Sequence, residues 1–390
     1  MHQWKKVKLK DVCTKIGSGA TPKGGKEAYL SEGISLIRSQ NILDFCFSTN
    51  GLAFIDENQA KQLAGVTIYQ DDVLLNITGD SVARVCKVPD YVLPARVNQH
   101  VAILRANDEL LDADFLKYYL LNPVAKNLLL NLSSTGATRN ALTKSMIEDF
   151  EIPLPPLTTQ ARIAEVLSSL DEKIELNRQT NQTLENIAKA LFEEWFIKNE
   201  NSSISITEYI KLNPRLSIKK DAMVKYVEMA DLPTDSMSIS NFVVRPFTSG
   251  SKYQNNDTLL ARITPCLENG KTGFVDFLNE NEIAFGSTEF IVMRAKEDIS
   301  PFYVYCLARN ENFKTHAVQS MVGSSGRQRI QNDMLATFQV PSVDYVQMSA
   351  FNEKMKPIFQ KMRSNTQESQ TLTVIRDGLL PKLMSGAVAV

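Results

Sequence analysis

Two polar loops hold residue types suited to reading a nucleic acid. NLSSTGATRN (131–140) carries Arg139 near its end, and VGSSGRQR (322–329) carries Arg327 and Arg329. A guanidinium is shaped for bidentate contact with guanine, and small Ser, Gly and Thr neighbours let backbone approach phosphate. Arg84, Arg262 and Lys271 lie near expected strand ends or loops and join them as candidates for DNA contact. For any one of these the competing reading is an exposed cation on an ordinary loop. The parallel placement of the two loops, each following an expected helix, favours contact for that pair.

Catalytic chemistry is much harder to assemble. GSGATPKGGK (17–26) imitates a phosphate loop, but the Gly-x4-Gly-Lys-Ser/Thr pattern fails at Ala20 and Glu27. An adenine methyltransferase would show an Asn- or Asp-Pro-Pro-aromatic turn; Asn122-Pro123 and Asn213-Pro214 continue as Val-Ala and Arg-Leu. No Gly-rich strand–turn–helix marks a dinucleotide or methyl-donor pocket. Asp171-Glu172-Lys173 imitates the carboxylate-x-Lys of nucleases, yet the helical pattern around it predicts a salt-bridged patch on a solvent face. The three histidines have no Cys or His at ligand spacing, and His100, opening a strand, reads as structural. Five scattered cysteines without a CxxC pair fit reduced thiols. The expectation is a non-catalytic chain, with no catalytic residue, cofactor site or metal site of its own.

The elements that position the loops follow from a repeat. Residues 160–195 contain neither Pro nor Gly, and Ile163, Leu167, Leu170, Ile174, Asn177, Asn181, Leu184, Ala188, Leu191 and Trp195 keep an alternating 4,3 rhythm. That spacing holds one seam on one side of a helix, as a coiled coil requires. The rhythm returns at Phe351, Met355, Ile358, Met362, Asn365, Ser369, Leu372 and Leu379, and Leu170/Ile358, Ile174/Met362 and Asn177/Asn365 are each 188 positions apart. The asparagines and Ser369 lie mid-seam, where polar residues either fix register at a cost in stability or are tolerated at a wetter, looser pair.

Before each long helix comes a similar mixture of strands and helices. Residues 7–12, 35–38, 72–77, 82–88 and 100–105 read as strands, 112–121 and 123–130 as helices, and 150–152 as a weak strand. A PLPP cluster (153–156) ends that unit, and Thr158 or Thr159 is expected to cap the first long helix. In the second half DTLLARIT echoes DVLLNIT, EFIVMRA echoes HVAILRA, and FQVP echoes FEIP. The partition is therefore 1–157, 158–198, 199–343 and 344–390: globule, helix, globule, helix. The expected fold class is α+β, with two α/β globules related by an internal pseudo-twofold repeat and joined by two long antiparallel coiled-coil helices.

Global properties set the frame. The chain has 390 residues, a net charge of −1 and 43% hydrophobic residues, with no run long enough to cross a bilayer. The first residues lack the apolar core of a signal peptide, so a cytoplasmic location is expected. Near-neutral charge means that any DNA-binding surface must be local.

IPLPPLTTQARIAEVLSSLDEKIELNRQTNQTLENIAKALFEEWF resembles the central conserved region of type I restriction–modification specificity subunits. VIRDGLLPKLMSG (374–386) resembles the end of their distal conserved region, and DTLLARITPCLENGKTGF with AFGSTEFIVMRA resembles one of their target-recognition domain types. The match spans the chain; VPSVDYVQ (340–347) departs from the PLPP-type entry to the second helix. The resemblance implies that each globule reads one half of a bipartite, asymmetric site on double-stranded DNA, with the helices setting the gap. It also implies two methyltransferase subunits that use S-adenosylmethionine on adenine N6, and two restriction subunits that use ATP and Mg. Those cofactors would then belong to partners. The alternative is a coiled-coil scaffold whose globules bind something other than DNA.

Overall fold

In the computed structural model, residues 4–134, 140–198, 202–324 and 326–388 are described. The chain divides into two compact units, Met1–Lys173 with Leu372–Val390, and Ile174–Thr371. Each unit thus owns one globule and a stretch of both long helices, Leu157–Phe192 and Tyr345–Met384. The fold is α+β.

The globule of the first unit is built on two four-stranded sheets. One has the order Cys13–Ser18, Val101–Ala106, Val73–Asn76, Val85–Lys87, antiparallel throughout. The other has the order Ala53–Ile55, Ile34–Ile37, Ala95–Val97, Thr67–Ile68, with a parallel pair at its centre. Val73–Asn76 is buried at every position. Alternation explains why: Val73 and Leu75 enter the core shared with the helices, whereas Leu74 and Ile103 face Ile37 and Val97 of the second sheet. A strand covered on both faces must read as a continuous apolar run.

The second unit repeats this order and the sense of every pairing. Its sheets are Ile210–Leu212, Phe290–Ala295, Thr258–Ala261, Thr272–Phe274, and Val243–Pro246, Met223–Val227, Ala284–Gly286, Ser251–Tyr253. A small antiparallel pair precedes each long helix, Lys6–Lys8 with Glu151–Pro153 and Ser203–Ser205 with Gln339–Pro341.

Within each unit the long helices run antiparallel. In the first, Ile163 and Leu167 share a core with Leu380 and Leu383; in the second, Phe192 and Phe196 share one with Phe351 and Met355. Phe196 meets Phe351 edge-on at 4.8 Å and Tyr303 at 5.0 Å. A π-helical turn at Glu193–Ile197 ends the first helix, and the wider turn brings Phe196 into that aromatic cluster.

Three local expectations need correction. Residues 7–12 are a strand only at Lys6–Lys8; Leu9–Val12 is a short helix, because Leu9 and Val12, three apart, are both buried. Thr158 and Thr159 lie inside the first turn of the long helix, since it already starts at Leu157 behind the Pro155–Pro156 pair. Gln160 secures that start: fully buried, it donates to the carbonyls of Pro155 (2.8 Å) and Leu110 (3.0 Å) and accepts from the Asp112 amide (2.8 Å). Asp171 is no solvent-face residue. Its side chain is 14% exposed and accepts from the Tyr118 hydroxyl (2.6 Å) and the Arg376 guanidinium (2.8 Å).

Candidate nucleic-acid interface

The sheet that carries Phe290–Ala295 places several polar residues together where that strand begins. Glu289 precedes it, and its carbonyl accepts from the Arg262 amide at 3.0 Å. Arg329 bridges Val322 on one side and Ile263 on the other, so its backbone is held from both. Its Nε donates to both Glu289 oxygens at 2.9 Å and its Nη2 to Oε1 at 2.7 Å. Beside it, Arg262 Nη2 donates to Gln331 Oε1 at 2.9 Å, and Thr264 and Gln328 exchange two hydrogen bonds of 3.0 and 3.1 Å. The neighbouring carboxylate holds the Arg329 guanidinium above its usual range, so it is a permanent cation. Sequence reasoning singled out Arg262 and Arg329 without seeing that the fold brings them together.

The other candidates stand differently. Arg327 is exposed in the loop. Lys271 donates to the carbonyls of Met229 (2.6 Å) and Ala230 (3.3 Å), tying down a neighbouring turn. Arg84 is half-buried next to Ala83, which has φ 64°. Arg139 lies outside the described residues.

The first unit has different chemistry at the matching place. His100 precedes its strand as Glu289 does, and the bridge Thr78–Ala141 stands where Ile263–Arg329 stands. His100 Nδ1 is 2.6 Å from Thr78 Oγ1 and Nε2 is 3.0 Å from Gln99 Nε2, so the histidine is a satisfied structural residue. Gly19 in the phosphate-like loop has a packing reason for being glycine. A Cβ there would lie 1.7 Å from the Val97 carbonyl oxygen.

Two buried ion pairs brace the sheets at equivalent positions. Arg105 grips Asp72 through Nε (2.7 Å) and Nη2 (2.8 Å), and Arg294 grips Asp257 through the same atoms at 2.6 Å each. Each aspartate also accepts from a backbone amide three residues earlier, Tyr69 or Gln254. The signal lay in the echoed DVLLN/DTLLA and ILRA/VMRA segments, where the Asp and Arg recur together.

The residues of the helix seam are a mixture of buried and half-buried positions. Asn177, Met362 and Asn365 are buried, while Leu170, Ile174, Asn181, Leu184, Leu191, Ile358, Leu372 and Leu379 are half-buried. In the second unit Asn365 donates to Asn181 (2.8 Å) and Asn177 donates to Glu368 (2.9 Å) across the helices. Arg376 was missed, although it occupies the seam position between Leu372 and Leu379. It lies over the Phe45 ring at 3.5 Å and pairs with Asp171. Burial, followed by the Asp171 carboxylate, pushes the Tyr118 hydroxyl far up, so it remains a donor. Burial likewise pushes up the Cys86 and Cys306 thiols, which removes thiolate character from both. Among the described residues, no group of three or more His, Cys, Asp or Glu converges as a metal site.

Residues 1–186 match the type I restriction modification DNA specificity domain family. Along almost its whole length the chain is similar to type I restriction–modification specificity subunits. The specificity subunit of the type I restriction enzyme MjaIX from Methanocaldococcus jannaschii is 24% identical over 99% of this chain and 94% of its own length. The MjaVIII specificity subunit of the same organism is 20% identical over 83% of this chain and 81% of its own. The crystal structure of a type I specificity subunit from M. genitalium covers 97% of this chain and 96% of its own at a TM-score of 0.57 and 17% identity, a likeness of fold. Among the described residues, no helix of the chain is long and apolar enough to cross a membrane.

Proposed function

We propose that this specificity subunit reads a bipartite, asymmetric DNA site with one globule per half-site. The paired long helices act as the spacer that fixes the unread gap. The subunit contributes recognition and no catalysis. Two methyltransferase subunits supply S-adenosylmethionine-dependent methylation of adenine N6, and two restriction subunits supply ATP- and Mg-dependent cleavage, all in the cytoplasm. The observation carrying this reading is the repeated globule. The strand order and pairing sense are the same in both units, while the side chains at the matching strand entry differ, Glu289 and Arg329 against His100 and Ala141. Two copies of one scaffold with different polar tips suit two different half-sites.

The test is to co-express the chain with its cognate methyltransferase in a methylation-free host and map N6-methyladenine by sequencing. A split motif around a fixed gap is expected. One continuous motif would mean that only one globule reads DNA. An absence of methylation with a folded, bound partner would favour the scaffold alternative.

A further inference from the structure

We infer that Arg329 reads a guanine in the half-site of the second globule and that Glu289 is the positioning residue that presents it. The inference rests on the DNA-reading function proposed above and adds one side chain, one base and one supporting carboxylate to it.

The geometry carries it. Glu289 occupies the Nε–Nη2 edge of the guanidinium with three hydrogen bonds of 2.7 to 2.9 Å. Among the described residues Nη1 makes no hydrogen bond, and the Arg329 side chain is 41% exposed. The end of the fork, Nη1 with the outer proton of Nη2, therefore faces outward with its plane fixed. Two N–H donors in one plane match the O6 and N7 acceptors that guanine displays in the major groove. A clamped guanidinium gives up little rotamer freedom on binding, which separates a base reader from a flexible cation on a phosphate.

The backbone supports the same assignment. The amide of Arg329 donates to Val322 and its carbonyl accepts from Val322, at 2.9 and 3.0 Å, while Ile330 donates to Arg262 at 3.0 Å. Arg327, two residues earlier, is exposed, and its amide donates to the Ser324 carbonyl at 3.0 Å. Arg329 is thus the rigid member of the loop, and Arg327 is placed for sequence-independent phosphate contact. In the first globule Ala141 stands at the Arg329 position, so this readout belongs to one half-site alone.

The test maps N6-methyladenine for the co-expressed complex carrying Arg329→Lys, Arg329→Ala, Glu289→Gln or the exchange Glu289→Arg with Arg329→Glu. The wild-type motif is expected to contain a guanine in one half-site. Arg329→Ala and Arg329→Lys should lower discrimination at that position by about ten- to a hundredfold and leave the other half-site intact. Glu289→Gln should relax the same position less. The exchange keeps an ion pair and the fold, yet should lose the guanine. An unchanged motif in active variants, or even weakening at every position, would overturn the assignment while leaving two-globule recognition standing. A wild-type complex that methylates without any split motif would instead sink the underlying reading. Guanine retained by the folded exchange variant would mark the pair as purely structural.

Discussion

Asp276 shows how a single carboxyl couples this molecule to pH. It follows the Thr272–Phe274 strand, and burial pushes it up to about 6 against the opposing pull of Arg363. The folded chain therefore holds this proton more tightly than the unfolded chain does. The associated stability is fully present below the ordinary carboxylate range and is lost as pH rises through about 6. Asp276→Asn removes that ionisation and should gain on the order of 2 kcal/mol over wild type near neutrality. The advantage should shrink towards pH 4, and urea unfolding of both proteins across that range measures it. A difference independent of pH would mean that the carboxyl is not shifted. Little of this was legible beforehand, because burial of one aspartate depends on distant chain packing over it. The Asp72–Arg105 and Asp257–Arg294 pairs were half legible: the segments were seen to echo, but nothing in the echo says that an acid and a base from separate strands meet.

At the scale of elements, the polar layer in the helix seam is where stability and specificity trade against each other. Asn365 is buried, donates to Asn181 at 2.8 Å, and its carbonyl accepts from Asn177 at 3.3 Å. Its side-chain oxygen has no partner among the described residues. Asn365→Ala takes the donor from the Asn181 side-chain oxygen, whose amide keeps Met362 and Thr366 as acceptors, and should cost about 1 kcal/mol. Replacing both partners, Asn181→Leu with Asn365→Leu, should be neutral or stabilising. Chemical denaturation of the three proteins decides it; additive losses in the double variant would show that the layer is not a coupled pair. The 4,3 rhythm revealed these seams because helical period is local. It passed over Arg376 because a charge at a seam position looks like an interruption until Asp171 is seen facing it.

For the whole molecule the proposed spacer makes a metric prediction. Inserting four residues into the first long helix adds about one turn, roughly 6 Å. The unread gap should then lengthen by about one or two base pairs, at 3.4 Å each. Methylome mapping of the insertion variant reads the gap directly, and an active complex with an unchanged gap would end the spacer idea.

The sequence by itself determined the α+β class, the two long helices, the repeat and the family resemblance, because each depends on short-range periodicity or on motifs that recur at a fixed offset. Tertiary structure alone decided that each compact unit takes a piece of both helices, that Asp171 turns inward to Arg376, and that Glu289 meets Arg329. Those pairings join residues tens to hundreds of positions apart. They are chosen by which surfaces become buried together, a competition among long-range contacts that no local pattern encodes.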